Sequence, residues 1–350
     1  MSNKRYRPAW HAAACLLVSV FVPFPLSASP VYTTFDVPGA ANTYAQSINH
    51  SGVTTGFYQD SAGVHGFVRA SDGTITTFDA AGGTATYAYS INKKSVETGQ
   101  YQDANQVHHG FVRDSTGNIT SFDAKGAGTA SGEGTWGSAI NAGGAIAGYD
   151  LDSSFVYHGF VRGKVFDAPG AGKGAAQGTL AYAINSTRAA AGYFIDSSNA
   201  VHGFARAADG TVTPFDVGKA VGTSAYGIND SGSNTGSWFD SGQVEHGFLR
   251  APDGTITTFD ARDAGTANYQ GTFAVAIDTG GDIVGQSIDD NNVFHGLLRT
   301  RTGKRKVLDA PGAGVGEFQG TYVTAINDKR VTAGSYYDSN GAAHGFLRTP

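Results

Sequence analysis

The stretch from Tyr44 to Asp79, YAQSINHSGVTTGFYQDSAGVHGFVRASDGTITTFD, decides the fold. Ile48-Asn49 is followed by Gly56 and then by Asp60. His65-Gly66-Phe67-Val68-Arg69 comes next, then an Asp72-Gly73 turn signal, the segment Thr74 to Phe78, and Asp79. Short runs rich in β-branched and aromatic residues, bounded by Gly and Asp, read as strands. Successive side chains of a strand face opposite ways, so His65, Phe67 and Arg69 share one face. Asp-Gly between alternating segments predicts a tight hairpin. The stretch therefore predicts four strands. Strand A ends in I-N, B leads through the glycine to the G-x-x-x-D aspartate, C carries H-G-F-x-R, and D is T-I-T-T-F.

The pattern occurs seven times, which makes repetition the dominant feature of the chain. The H-G-[FL]-x-R histidines are His65, His109, His158, His202, His246, His295 and His344, at spacings of 44, 49, 44, 44, 49 and 49. The [FL]-D aspartates are Asp36, Asp79, Asp123, Asp167, Asp216, Asp260 and Asp309. The I-[ND] residues are Asn49, Asn92, Asn141, Asn185, Asn229, Asp278 and Asn327. We number the repeat units 1 to 7 by their histidines. Four antiparallel strands per unit of this length predict an all-β, seven-bladed β-propeller. The last unit lacks a strand D, and Tyr32 to Asp36 supply one, so the N-terminal strand is expected to close the last blade and remove exposed sheet edges.

The combination of H-G-F, F-D, I-N and G-x-x-x-D resembles the HAF family of bacterial extracellular repeat proteins, over essentially the whole chain after the first residues. The resemblance implies a secreted or surface location and carries no activity to transfer. No sialidase-type S-x-D-x-G-x-T-W box, W-D repeat ending or recurrent kelch di-glycine is present.

Composition agrees with the strand reading. Glycine supplies 50 of 350 residues and charged residues only 15%, while aromatics at 11% argue against disorder. Residues 1–29 read as an export signal: Lys4, Arg5 and Arg7, an apolar run from Ala12 to Phe24, then small residues near Ser29. Residues 30–350 are expected to form the propeller as a single domain. Removing the signal takes the formal charge from −5 to −8, which argues against nucleic acid and anionic membrane surfaces as partners. It also removes Cys15, the sole cysteine, and with it disulfides and thiolate chemistry. No membrane insertion is expected, and the chain is expected to be a monomer.

In this strand order the D–A and B–C loops emerge on one face, the A–B and C–D turns on the other. The first face gathers the [FL]-D and G-x-x-x-D aspartates. Calcium is one reading of such oxygen ligands, with Asp150-Leu151-Asp152 and Asp289 to Asn292 the best local candidates. Asx-type capping of loop backbone is the preferred one, and no metal or other cofactor is expected. The seven histidines recur in every unit, so they read as structural braces, and the H-G-F-x-R arginines likewise. His108, present in unit 2 only, reads as an exposed loop residue.

Ligand contacts are expected where the repeat is broken. The D–A connection is longer before strands A of units 3, 4, 6 and 7, and all of the variation in repeat length is assigned to it. Each longer loop ends in [EQ]-G-T, and Gln177, Gln270 and Gln319, with Tyr269 and Phe318 just before two of them and Trp136 just after Glu133-Gly134-Thr135, form the candidate binding rim for a glycan or protein. No catalytic residue is assigned: neither a G-x-S-x-G elbow nor a unique Ser/His/Asp set is present. The function expected is a non-catalytic extracellular binding module. The rivals are a polysaccharide hydrolase or lyase and a structural envelope protein. A deep central pocket holding two unrepeated carboxylates would favour the enzyme, and an aromatic rim the binder.

Overall fold

The computed structural model describes residues 29–350, so all but the last residue of the expected export segment lies outside the described residues. The described chain is all-β, with 28 strands and no helix. In unit 2, strands A to D are Ala85–Ile91, Glu97–Gln102, His108–Arg113 and Ile119–Phe122, each pairing antiparallel with the next. The same meander forms in every unit. At six junctions neighbouring meanders touch through one parallel bridge, such as Val64↔Ala85, from the start of strand C to the strand A that follows, and between units 7 and 1 the Ala343 amide donates to Asn42 Oδ1 instead. The strands A surround a central channel. This is a β-propeller.

The two chain ends meet. Val31–Phe35 pairs with Ala343–Thr349, from Val31↔Thr349 to Phe35↔Gly345. Asp36 accepts a hydrogen bond from His344 Nδ1 at 3.0 Å, the contact that every other unit makes within itself.

Close packing explains two repeated glycines. A Cβ on Gly66 would lie 2.6 Å from the Phe78 ring, and one on Gly345 equally close to Phe35. The phenylalanine of F-D packs on the glycine of H-G-F, and in unit 6, where Leu308 stands in its place, a Cβ on Gly296 would meet the Leu308 carbonyl at 2.6 Å instead. A Cβ on Gly56 would lie 2.0 Å from the Tyr44 carbonyl, across the register shift that each A–B pair carries. The H-G-F phenylalanines, such as Phe67, Phe111 and Phe248, are fully buried and form the core of each unit.

The histidines and arginines hold neighbouring strands together. Each histidine Nδ1 lies 2.8–3.0 Å from its [FL]-D aspartate, with Nε2 3.3–3.8 Å from the G-x-x-x-D aspartate. Aromatic rings of strand B back five of them, as Tyr58 does His65 at 5.1 Å. In unit 3 that place is taken by Asp150 and in unit 6 by Ser287. The G-x-x-x-D carboxylates cap their own hairpins, Asp152 accepting from the Ser154 and Val156 amides and Asp289 from those of Asn291 and Val293. Five arginines place a guanidinium 4.8–5.0 Å over a strand-D phenylalanine of the preceding unit.

At the A–B end of the channel the repeat is kept in every unit. Seven isoleucines line it there, and beyond them the I-[ND] side chains link unit to unit. Asn49 Nδ2 donates to the Asn92 carbonyl, Asn92 to Asn141, Asn141 to Asn185, Asn185 to Asn229, Asn229 to Asp278, and Asn327 back to Asn49, at 2.8–3.3 Å. The link from Asp278 to Asn327 is missing, because an ionised carboxylate has no proton to donate.

The D–A connections do not account for all of the variation in repeat length. The spacing from His158 to His202 spans a long D–A connection yet is only 44 residues, because five residues are missing elsewhere. They are missing from the C–D hairpin of unit 3. Arg162 and Asp167 are five positions apart, against ten for Arg69 and Asp79. Val161 pairs directly with Lys164 around a two-residue turn, Arg162 and Gly163, with φ of 54° and 70°.

Candidate functional site

The central channel is the place where the repeat is broken by chemistry rather than by length. One residue per unit, two before the I-[ND] isoleucine, lines it: Gln46, Tyr89, Ser138, Tyr182, Tyr226, Val275 and Thr324. Strand alternation puts these residues on the channel side of strand A, while the neighbours that the fold requires, such as Ala45, Ala88 and Ala181, are buried in the unit. Trp136 of strand A and Tyr149 of strand B in unit 3 complete a cavity of about 540 Å³. Its two halves differ. Units 2 to 5 supply the aromatic wall, units 6, 7 and 1 a smaller wall of Val275, Thr324 and Gln46.

The wall is continuous. Trp136 stacks on Tyr149 with centroids 5.2 Å apart, Tyr149 reaches Tyr182 at 5.8 Å, and Tyr182 meets Tyr226 edge-on at 5.6 Å. Tyr182 and Tyr193 share a hydroxyl–hydroxyl contact of 3.3 Å. Burial raises the pKa of the Tyr149, Tyr182 and Tyr226 hydroxyls and pushes Tyr89 up to about 12, so all stay protonated and neutral at physiological pH. The lining contains no Asp, Glu, His, Lys or Arg. It presents hydroxyls, an amide and aromatic faces, and no charge.

His108 supports this wall from behind, which corrects its reading as an exposed loop residue. It opens strand C of unit 2, half-buried, and stacks on Trp136 with centroids 4.3 Å apart. Its Nδ1 lies 2.8 Å from Gln100 Oε1 and its Nε2 3.1 Å from Gln102 Nε2, a pattern met by a neutral ring donating at Nδ1 and accepting at Nε2. Burial lowers its pKa, in keeping with that state. Gln100 Nε2 in turn donates to Tyr89 OH at 3.4 Å.

The residues assigned to the D–A rim separate into three groups. Trp136 lies in the channel. Gln177, Gln270 and Gln319 are engaged inside their own loops. Each Oε1 accepts a backbone amide three residues back, at 2.9–3.0 Å, and each Nε2 donates to the B–C hairpin of the same unit. A short amide needed to hold a glycine-rich loop is not available to a ligand. Tyr269 and Phe318 are exposed on this face, 65% and 63% accessible, as is Phe155 of the unit 3 B–C hairpin at 47%, all three in left-handed backbone at φ of 64°, 60° and 58°. Loop length carries no trace of the channel tyrosines. The signal is in the strands, at a position that varies widely from unit to unit between two that hold Ala, Gly or Val and Ser, Ala or Gly.

Among the described residues, Glu97, Glu245 and Asp150 are unrepeated carboxyls buried outside the channel lining, as are Glu133 and Asp282. Burial pushes Glu97 and Glu245 up to about 8 and Asp150 to about 7. Glu97 has Arg113 beside it at 3.5 Å, whereas both oxygens of Asp150 lack a hydrogen-bond partner.

No family model matches the chain, and no curated protein does. Solved structures do. A virginiamycin B lyase from Staphylococcus aureus matches with a TM-score of 0.54 and 12% identity, over 92% of this chain and 100% of that one. The β-propeller domain of the trilobed protease from Pyrococcus furiosus matches with a TM-score of 0.55 and 9% identity, over 88% of this chain and 94% of that one. At such identities the likeness speaks to the fold alone.

Proposed function

We propose that this chain is an exported, seven-bladed propeller of the HAF type, with four strands per blade and the N-terminal strand closing the last. It acts outside the cytoplasm as a non-catalytic binding module, and its ligand is an uncharged glycan held in the central channel. The observation that carries this reading is the uncharged lining of the aromatic half-channel. A sugar offers C–H faces that stack on aromatic rings and hydroxyls that exchange hydrogen bonds with tyrosine, serine and glutamine. A cavity of about 540 Å³ suits one or two sugar rings. General acid–base or nucleophilic work needs a titratable group within reach of the reacting atoms, and the lining supplies none below the tyrosines. The enzyme reading called for two unrepeated carboxylates in a central pocket, whereas this lining carries aromatic, hydroxyl and amide groups.

The test is a glycan array probed with residues 30–350 and two variants. Trp136→Ala with Tyr182→Ala is expected to abolish binding of neutral oligosaccharides, while Tyr269→Ala with Phe318→Ala retains it. Loss only in the second variant would move the ligand to the D–A rim. Turnover of any bound oligosaccharide would replace the binder with the hydrolase or lyase.

A further inference from the structure

The unit 2–unit 3 junction differs from its sisters in a way that leaves a second cavity. At five junctions the arginine of H-G-F-x-R roofs the strand-D phenylalanine of the preceding unit, as Arg113 does Phe78 and Arg206 does Phe166, and in unit 7, where the preceding unit offers Leu308, Arg348 lies 6.0 Å over Tyr32 instead. At this junction the shortened C–D hairpin carries Arg162 into the turn, and among the described residues no guanidinium lies over Phe122. A slot of about 520 Å³ opens there. Val112, Phe122, Ile146 and Phe160 give it apolar walls; Arg162 and Arg188 stand at its edge, with Asn141 and Ser186. Among the described residues neither arginine has an ion-pair partner. The one carboxylate of the lining, Asp123, is already held by His109 Nδ1 at 2.9 Å.

We propose that this slot is a binding site for a small organic anion with a flat apolar body, an aromatic carboxylate being the simplest case. The vacated roof position leaves one face of Phe122 without the partner its sisters have, and burial of apolar surface there favours an aromatic guest. A cation in the place of the missing arginine would meet two unneutralised guanidiniums. An anion meets them as partners, and a guanidinium presents paired donors to a carboxylate. The site is independent of the channel, which lies on the other side of strand A and carries no charge.

The test uses residues 30–350 and calorimetric titration with naphthalene-2-carboxylate, uncharged naphthalene-2-methanol, benzamidinium and N-acetylphenylalanine. The naphthoate is expected to bind at least tenfold more tightly than the alcohol, and Arg162→Ser with Arg188→Ser to remove that difference. A second variant, in which Arg162-Gly163 is replaced by the sequence of Arg113–Ile119, rebuilds the longer hairpin and its arginine roof, and is expected to abolish binding. N-acetylphenylalanine shows the source: tighter binding than naphthoate points to a peptide C-terminus, weaker binding to a free aromatic acid. Benzamidinium binding more tightly than naphthoate overturns the proposal. So does the absence of naphthoate binding at millimolar concentration, or its survival in the rebuilt hairpin.

Discussion

Replacing Asp278 with asparagine is expected to stabilise the protein. Six of the seven inter-unit links at the A–B end are asparagine amides donating to the next carbonyl, and the seventh fails for want of a proton. The Asp278 Oδ1 already accepts the Asp282 amide at 2.8 Å, as Asn49 Oδ1 accepts the Val53 amide, so Asp278→Asn keeps the turn cap and adds only the donor. One added buried hydrogen bond contributes about 1 kcal/mol. A second contribution comes from charge. Asp278 is 6% exposed, and burial, then Asp282 and Asp328, raise its pKa, so its ionised form is disfavoured where it stands. Together the two effects come to about 1–2 kcal/mol. At about 1–2 °C per kcal/mol for a chain this long, the melting temperature rises by roughly 2–3 °C at pH 7. The sign of the pH dependence follows from the raised pKa. The native state holds the Asp278 proton more tightly than the unfolded chain, so the wild type is favoured at low pH and loses that share as pH rises through the native pKa. The advantage of Asp278→Asn is therefore expected to shrink on acidification. Thermal and urea unfolding of both proteins from pH 4 to pH 8 measures it. A variant no more stable at pH 7, or with a pH-independent gain, would refute the reasoning.

Other outcomes follow from the same contacts. Deleting Val31 to Asp36 removes a paired strand and the Phe35–Gly345 packing, so a loss of several kcal/mol is expected, read as a lower urea midpoint; an unchanged midpoint would sink ring closure. Asp150→Tyr restores the aromatic that Tyr58 and Tyr101 provide in their units and removes an unpartnered buried carboxyl. A gain of about 1–3 kcal/mol is expected at pH 8, falling towards pH 4, where Asp150 of the wild type is protonated. For His295, the hydrogen bond that its Nδ1 donates to Asp309 outweighs burial and raises the pKa to about 9. Its stabilisation is full below about pH 6.5 and fades as pH rises through 9, so His295→Asn should flatten the alkaline limb of the stability profile. NMR titration of the imidazole checks the same point, and a midpoint below 6.5 would contradict it.

The sequence by itself determined the strands, their order and the ring closure. Each follows from short-range rules: Gly66 needs Phe78, Asp72-Gly73 makes a hairpin, and Tyr32 to Asp36 match the missing strand D. It also placed the histidines beside aspartates, since seven equal contacts leave seven equal traces. The channel wall was decided only by tertiary structure. Tyr89, Trp136, Tyr149, Tyr182 and Tyr226 come from four units, and nothing local says that they face one space rather than four separate interfaces. Gln177, Gln270 and Gln319 show the converse. Their spacing suggested a rim, but whether an amide faces a ligand or its own loop depends on the backbone folded around it. The slot at Phe122 belongs to the same class, because a deletion of five residues reads as a short turn until the ring that lost its cover is seen in the neighbouring unit.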